Sequence, residues 1–374
     1  MMEDIIATYS VSPQQFGLLE SSFYYMYTPM QLFAGPLIDE YGASKIVPLA
    51  ILCCLIGSIL SAMEINFTVL LLARLLIGFG SAFAFIAVLK TASEWLPRDY
   101  YPILCGVATG LGSLGGIAAE TLIPMSIHMG ALFIYSVSAI TSLILLFFSC
   151  IFIFDKEDHS EAAFDIQLIL QDIYHVISSP QLWLVGLIGC FMYTPLQLFI
   201  TWAKSFFMQN YQITELLAGQ ITSMLFWGMV IGAPVNGWLA SQMDNKKNLL
   251  FIGSICACTG MSLLLLQTWS VVTASIILFM VGFFIGAQQL VFVFAKDLFP
   301  LHLTATSVAC ANMIVNLSSY IQPLIGQALT LDPESQTIYS FASWQTALAI
   351  VPVLLLISSI IVYFIEEAEQ EESE

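Results

Sequence analysis

The chain has 374 residues, of which 59% are hydrophobic and only 9% are charged. That balance exceeds the apolar share of ordinary water-soluble domains and excludes them as a class. The formal net charge of -17 argues against nucleic acid and against an anionic bilayer surface as partners, because like charges repel. Hydrophobic runs of about 20 residues recur along the chain, which is the length of a helix that crosses a membrane. The sequence therefore predicts an all-α polytopic membrane protein.

Hydropathy predicts about eleven transmembrane segments. They are expected to be helices, because backbone groups in lipid have no water to bond. In chain order, the spans are predicted near residues 14–37, 46–63, 66–90, 101–124, 130–154, 181–203, 214–240, 248–267, 269–295, 304–329 and 344–365. The eight cysteines fall within or beside these spans without a C-x-x-C pair, so we predict no metal site and no cofactor.

Lysine and arginine residues predict the orientation of these spans. Most of them lie on one set of alternate connections, whereas Lys204 lies on the other set. By the positive-inside rule the first set is cytoplasmic, which predicts a multi-pass inner-membrane protein with a cytoplasmic C-terminus. Lys90 and Lys296 stand at cytoplasmic helix ends, where they are expected to be anchors that reach the membrane interface.

The chain resembles itself after a shift of 202 residues, which aligns Gly35 with Gly237 and Lys45 with Lys247. Such a repeat predicts two pseudo-symmetric helical bundles. The predicted parts are an N-terminal bundle at 1–154, a cytoplasmic linker with an amphipathic helix at 155–180, a C-terminal six-helix bundle at 181–365 and an acidic cytoplasmic tail at 366–374. The span at 181–203 has no counterpart ahead of the first span, so we expect the N-terminal bundle to lack its first helix.

Polar side chains recur at helical spacing within several predicted spans. Amides that face lipid would lose their hydrogen bonds, so these stripes are expected to face a central cavity or neighbouring helices. The residues predicted to bind substrate are Tyr27, Gln31, Tyr193, Gln197, Asn312 and Asn316. The alternative is that these side chains only form hydrogen bonds with neighbouring helices. The sequence Tyr-Thr-Pro-x-Gln occurs twice, at residues 27–31 and 193–197, and it could also recur by lineage or chance, with proline bending each helix.

Three ionisable residues, Glu20, Arg74 and Glu120, are expected about 6–12 Å below the outer membrane boundary. An unpaired charge at that depth is costly, so Arg74 is expected to pair with Glu120, with Glu20 or with both. Such a static ion pair would brace the first bundle.

Several segments resemble signatures of the major facilitator superfamily. "GPLIDEYGASK" is similar to the signature between the second and third helices of that family, and "GWLASQMDNKK" is similar to its second copy. "LLLARLLIGFGSAFA" and "GVATGLGSLGG" resemble the fourth and fifth helices of the family. The resemblance implies a gating motif that contains Gly35, Asp39, Gly42, Lys45 and Gly237. It also implies that Glu20, Arg74 and Glu120 couple solute movement to protons, with a purely static ion pair as the alternative. Glu40 stands where the family usually has a cation and Ser241 where an acid is common, so the gating contacts are expected to differ here.

Within that family, "FYYMYTPMQLF", "SAFAFIAVLK" and "MYTPLQLF" resemble a branch of phagosomal amino-acid transporters found in intracellular proteobacteria. The resemblance implies a secondary active transporter that moves a small polar solute, such as an amino acid, by alternating access and with protons as the coupling ion. The predicted partners are this solute and the lipid bilayer, and we expect a monomer. The sequence shows no recognisable catalytic constellation, so we do not predict an enzyme. A truncated, non-transporting remnant or sensor with the same fold is the alternative.

Overall fold

The computed structural model describes residues 13–126, 130–156, 166–243, 245–329 and 339–366. Helices dominate this part of the chain, which confirms the all-α prediction. The helices before the linker are α1 (Pro13–Tyr41), α2 (Ala43–Ala62), α3 (Phe67–Trp95), α4 (Tyr101–Ser126) and α5 (Gly130–Phe152), and the linker carries α6 (Ile166–Ile177). The later helices are α7 (Pro180–Tyr211), α8 (Glu215–Ser241), α9 (Lys247–Leu266), α10 (Val271–Ile285), α11 (Leu290–Asp297), α12 (Thr304–Asn316), α13 (Gln322–Ala328), α14 (Phe341–Leu348) and α15 (Ile350–Ile361).

Among the described residues, nine helical segments are long and apolar enough to cross a membrane. The predicted span near 14–37 forms α1, whose Tyr, Thr, Pro and Gln residues make it less apolar than the others. The predicted span near 304–329 is divided into α12, a 3-10 segment at Leu317–Ile321 and α13, so none of its helices alone reaches the length of a span. Both of these predicted spans are therefore helical, although they differ from regular transmembrane helices.

Polar side chains begin several of the spanning helices. Asn66 accepts a hydrogen bond of 2.9 Å from the backbone N–H of Val69 at the start of α3. Ser270 accepts one of 3.2 Å from Thr273 at the start of α10, and Thr214 caps α8 in the same way. Each bond satisfies a backbone N–H that has no partner within its own helix. These caps explain why the helices begin where the sequence changes from polar to apolar.

Contacts between Cα atoms divide the described residues into two compact units. Unit 1 contains the described residues up to Leu96, those in Met125–Ser178, and Phe299–Met313. Unit 2 contains Pro97–Pro124, the described residues of Ser179–Leu298, and those from Ile314 onward. This grouping differs from two consecutive halves of the chain, because α4 belongs to unit 2 and most of α12 belongs to unit 1.

Glycine allows α1 to approach α12 within unit 1 and α8 to approach α4 within unit 2. A Cβ atom on Gly35 would lie 2.6 Å from the carbonyl oxygen of Ala305, and one on Gly237 would lie 2.3 Å from that of Pro102. Both distances are shorter than van der Waals contact, so larger side chains would force these helices apart. Because each crossing joins segments far apart in sequence, the units do not follow the order of the chain.

Each unit has its own core, which holds the helices that carry the candidate site residues. In unit 1, small and large apolar side chains of α1, α3 and α12 interdigitate, among them Ala34, Ile38, Phe83, Ile86 and Ala309. In unit 2, α7 and α14 bury an aromatic group, in which the ring centroids of Phe206 and Trp344 are 5.7 Å apart.

Candidate functional site

A buried polar cluster in unit 1 contains Tyr27, Gln31 and Asn312, which are three of the predicted binding residues. Tyr27 and Gln31 lie about one turn apart on α1. The hydroxyl of Tyr27 is within hydrogen-bonding reach of the side chains of Gln31 and Asn312. Gln31 is 0% exposed and Asn312 is 7% exposed. The structure therefore brings together predicted residues from α1 and α12.

This cluster has hydrogen-bonding capacity that the described residues do not use. Neither amide atom of Gln31 makes a hydrogen bond of normal geometry with them, and the hydroxyl of Thr28 makes none either. A buried polar group without a partner costs about 1–3 kcal/mol. Native proteins keep few such groups, and each calls for an explanation such as a bound water or ligand. The unit 1 cluster is therefore a candidate site for a polar solute.

The other predicted binding residues belong to unit 2. Gln197 is 3% exposed on α7, Asn316 is 8% exposed at the end of α12, and Tyr193 is half-buried. Gln322 donates a hydrogen bond of 3.1 Å to the carbonyl oxygen of Gln197, which ties α7 to the first turn of α13. Pro195 lies between Tyr193 and Gln197 and removes one backbone hydrogen bond of α7. The predicted binding residues are thus divided between the two units.

The predicted coupling residues are only partly described. Arg74 is half-buried on α3. Glu20 lies on α1 and Glu120 on α4, but their side chains lie outside the described residues, as does the acidic tail after residue 366. The predicted pairing of Arg74 with these carboxylates stays a prediction.

Asp39 joins the end of α1 to the beginning of α12. Its carboxylate accepts hydrogen bonds from the backbone N–H groups of Ala305 at 3.2 Å and Thr306 at 2.9 Å. The hydroxyl of Thr306 adds a third bond of 2.9 Å. A carboxylate at a helix N-terminus satisfies N–H groups that lack partners within the helix and is favoured by the helix dipole. The predicted gating residue Asp39 therefore fastens α12 to α1 within unit 1.

Lys90 is a partner of Asp39, which differs from the expected role of an interfacial anchor. Its ammonium nitrogen lies 2.8 Å from Asp39 and 3.2 Å from Glu94, and it donates a bond of 3.5 Å to the carbonyl oxygen of Leu301. Lys90 is only 6% exposed, so its charge needs these partners rather than water. The spacing of Lys90 and Glu94 at i and i+4 was the local signal for part of this network.

The connection after α1 explains why the gating motif contains Gly42. Gly42 has a φ of 83°, a conformation that glycine adopts without strain. The turn places Ser44 at the start of α2, where its backbone N–H donates to Asp155 at 3.0 Å and its hydroxyl also bonds that carboxylate. Lys45 is exposed in the first turn of α2. The gating segment is thereby linked to the end of α5.

In unit 2 a different contact lies beside the second copy of the motif. Ser241, which replaces an acid, donates a hydrogen bond of 2.8 Å to the carbonyl oxygen of Trp238 in its own helix. Beside the crossing of Gly237 with α4, the ammonium nitrogen of Lys296 lies 4.3 Å from the ring centroid of Tyr101, which is cation–π geometry. Lys296 and Tyr101 are both buried. The buried lysine of unit 2 therefore contacts an aromatic ring, whereas the buried lysine of unit 1 contacts a carboxylate.

The apolar helices and the buried polar groups together define a multi-pass helical membrane protein. The chain belongs to the Major Facilitator Superfamily, because the model of that family matches residues 1–323. This membership confirms the resemblance at the level of the superfamily. The family is one of transporters, so the expectation that the chain is not an enzyme is confirmed as well.

Curated relatives are distant in sequence. The glucose transporter GlcP of Staphylococcus epidermidis is 23% identical over 346 residues, which cover 80% of this chain and 76% of that protein. The sodium-dependent phosphate transport protein 1 of Arabidopsis thaliana chloroplasts is 24% identical over 258 residues, which cover 64% of this chain and 50% of that protein. Several of the curated relatives are matched over about half of their own length.

Solved structures show the same fold. The E. coli fucose:proton symporter FucP superposes with a TM-score of 0.73 at 16% identity, covering 98% of this chain and 94% of that chain. The human organic anion transporter MFSD10 superposes with a TM-score of 0.71 at 14% identity, covering 94% of this chain and 86% of that chain. These proteins carry different solutes by name, so they support the fold and leave the amino-acid branch as a prediction.

Proposed function

We propose that the chain is a secondary active transporter that moves a small polar solute by alternating access. Membership in a transporter family supports this activity. The observation that carries the proposal is the buried amide of Gln31 beside Tyr27 and Asn312, which makes no hydrogen bond of normal geometry with the described residues and which a polar solute would satisfy. The proposed binding residues are Tyr27, Gln31 and Asn312 in unit 1 and Tyr193, Gln197 and Asn316 in unit 2.

The gating motif is proposed to control access to the solute. In unit 1, Asp39 and Lys90 hold the N-terminus of α12 against α1, and Gly35 makes their close approach sterically possible. Such a contact stabilises the state that contains it, so the transporter must break or rearrange it to reach another state. Gly42 and Lys45 complete the motif, and Gly237 occupies the related crossing in unit 2.

Protons are the proposed coupling ion, with Glu20, Arg74 and Glu120 as the coupling residues. A carboxyl group beside an arginine is either protonated or ionised and paired with the arginine. A conformational change that breaks the pair therefore favours protonation, which links proton binding to conformation. One fold relative is a proton symporter by name. The protein is proposed to act as a monomer in the inner membrane, with the C-terminus in the cytoplasm as the positive-inside rule indicates.

Uptake into proteoliposomes that contain the purified full chain tests the proposal. The solute panel contains amino acids, which the branch resemblance implies, together with glucose, fucose, phosphate and organic anions, which the names of the relatives suggest. Once a solute is found, Gln31→Leu is expected to raise its KM about tenfold, because a hydrogen bond to a buried group contributes about 1–1.5 kcal/mol. Cys256→Ala, a change on α9, is the control and is expected to leave KM unchanged.

The outcomes separate the candidate functions. Saturable uptake that Gln31→Leu weakens and Cys256→Ala does not would support the transporter and its unit 1 site. Equal effects of the two variants would remove the site assignment. A panel solute that binds without being taken up would favour the non-transporting sensor.

A further inference from the structure

Two helical segments are interrupted by 3-10 turns that lie in unit 2 and pack against α7. The segment Val271–Asp297 contains a 3-10 turn at Gly286–Gln289, and α12 gives way to a 3-10 segment at Leu317–Ile321. Both interruptions contact α7. Helix breaks at membrane depth release backbone groups and are common at the solute sites of transporters.

Buried polar atoms without partners lie on both interrupted segments. Gln288 is 2% exposed, and Gln289 and Ser318 are each 0% exposed. The side-chain nitrogen of Gln288, the side-chain oxygen of Gln289 and the hydroxyl of Ser318 have no hydrogen-bond partner within the described part of the chain. The nitrogen of Gln289 does have a partner, the carbonyl oxygen of Ala233 at 3.3 Å.

Gln288 and Ser318 lie beside neighbouring residues of α7. A Cβ atom on Gly189 would lie 3.3 Å from the side-chain nitrogen of Gln288, so that nitrogen faces the bare backbone of α7. The thiol of the next residue, Cys190, is within hydrogen-bonding reach of the backbone of Ser318. Val315, just before the second interruption, also contacts the position of Gly189. The two interruptions therefore meet α7 at consecutive residues.

Several other buried polar side chains of unit 2 have partners among the described residues. The hydroxyls of Ser254 and Ser358 are 3.1 Å apart, and Ser358 also reaches the carbonyl oxygen of Ile188 at 3.4 Å. Asn236 donates to the carbonyl oxygen of Gly232 at 2.7 Å. The side-chain nitrogen of Gln288 and the hydroxyl of Ser318 have no such partner among the described residues, and a bound ligand is one explanation for buried polar atoms of this kind.

We propose that Gln288 and Ser318 form a solute-binding subsite for the hydroxyl groups of a neutral polyhydroxylated solute, such as a hexose or a polyol. The proposal rests on the transport function proposed above and names its substrate class. The unpaired atoms comprise an amide donor and a hydroxyl, and a solute hydroxyl both donates and accepts. Neutral groups compensate poorly for burying a full charge, which disfavours phosphate and zwitterions.

The test compares ligand-free stability with solute affinity in the purified full chain. Gln288→Leu removes an unpaired amide, so it is expected to raise the melting temperature without ligand. The same variant is expected to weaken binding of the best hexose or polyol about tenfold, as measured by thermal shift or calorimetry. Ser318→Ala is expected to weaken that binding in the same direction.

Gln345→Leu is the matched control, because Gln345 is a unit 2 amide that is already paired with the carbonyl oxygen of Leu265 at 2.6 Å. It is expected to lower the melting temperature and leave affinity unchanged. A Gln288→Leu variant that melts at a higher temperature and binds solute more weakly would not be expected if this amide had a purely structural role.

Several results would overturn the subsite. One is a solute affinity of Gln288→Leu that lies within about twofold of the wild-type affinity. Another is a wild-type protein that binds no hexose or polyol, and a third is preferential binding of phosphate or amino acids. Failure of the transport proposal looks different. A hexose that binds through Gln288 without uptake retains the subsite and removes transport, whereas phosphate uptake unaffected by Gln288→Leu retains transport and removes the subsite.

Discussion

Replacing Asp39 with asparagine tests whether its carboxylate holds the N-terminus of α12 in unit 1. The carboxylate lies 2.8 Å from the ammonium of Lys90 and accepts two hydrogen bonds of 2.9 Å from Thr306. Both side chains of the ion pair are 8% exposed, so solvent screens the pair only weakly. Removing one charge from a buried ion pair costs about 3–5 kcal/mol.

Two features of the structure reduce this cost. Glu94 lies 3.2 Å from the ammonium of Lys90 and continues to compensate its charge. An asparagine at position 39 can still accept a hydrogen bond from Thr306 through its amide oxygen. Asp39→Asn is therefore expected to lower the free energy of unfolding by about 2–3 kcal/mol.

Denaturant unfolding of the full chain in detergent, followed by tryptophan fluorescence, measures this change. Glu64→Gln removes an exposed carboxylate between α2 and α3 and is the control, with an expected change within about 0.5 kcal/mol. Adding Lys90→Met completes a double-mutant cycle, in which a coupling of about 1–3 kcal/mol is expected. A loss below about 0.5 kcal/mol for Asp39→Asn, or the absence of coupling to Lys90, would refute the reasoning.

Three further predictions concern the other candidate groups. Tyr101→Phe keeps the ring beneath Lys296 and is expected to preserve the stability of the protein. Tyr101→Leu removes the ring and is expected to lower the free energy of unfolding by about 1–2 kcal/mol. Equal losses of stability in the two variants would exclude the cation–π contact. Gly237→Val is expected to abolish uptake, because its Cβ atom would lie 2.3 Å from a carbonyl oxygen of α4, whereas Gly112→Ala meets nothing within 4 Å and is expected to be tolerated. Glu20→Gln is expected to remove the pH dependence of uptake, and a retained pH profile would exclude Glu20 as the coupling carboxylate.

The helices of the fold could be predicted because the signals for them are local. Segments such as α3 and α8 are apolar over a full span and begin at capping residues, and both properties are visible in a short window of sequence. The polar face of α1 follows in the same way from the helical period, which places Tyr27 and Gln31 together. Which helix each face contacts is not a local property, since it depends on packing between distant segments.

Lys90 and Gln288 show what this limit means for the candidate site. Lys90 stands at a helix end, where an interfacial anchor is the usual expectation, but packing of α1 and α12 buries it against Asp39. The sequence does not show which amide atoms of Gln288 and Gln289 lack a hydrogen-bond partner among the described residues. Their pairing depends on the 3-10 turn and on its contact with α7.

The sequence by itself determined that the chain is a helical membrane protein of the major facilitator type, and which residues line polar helix faces. Composition, helical period and short glycine-rich motifs are properties of neighbouring residues, so they survive without a structure. Only the tertiary structure decided that Asp39 caps α12 and that α4 belongs with the later helices. It also decided which side-chain atoms of Gln31, Gln288 and Ser318 lack a hydrogen-bond partner of normal geometry among the described residues. Each of these depends on the approach of segments far apart in the chain, and hydrogen bonding and burial at such contacts cannot be derived from local periodicity.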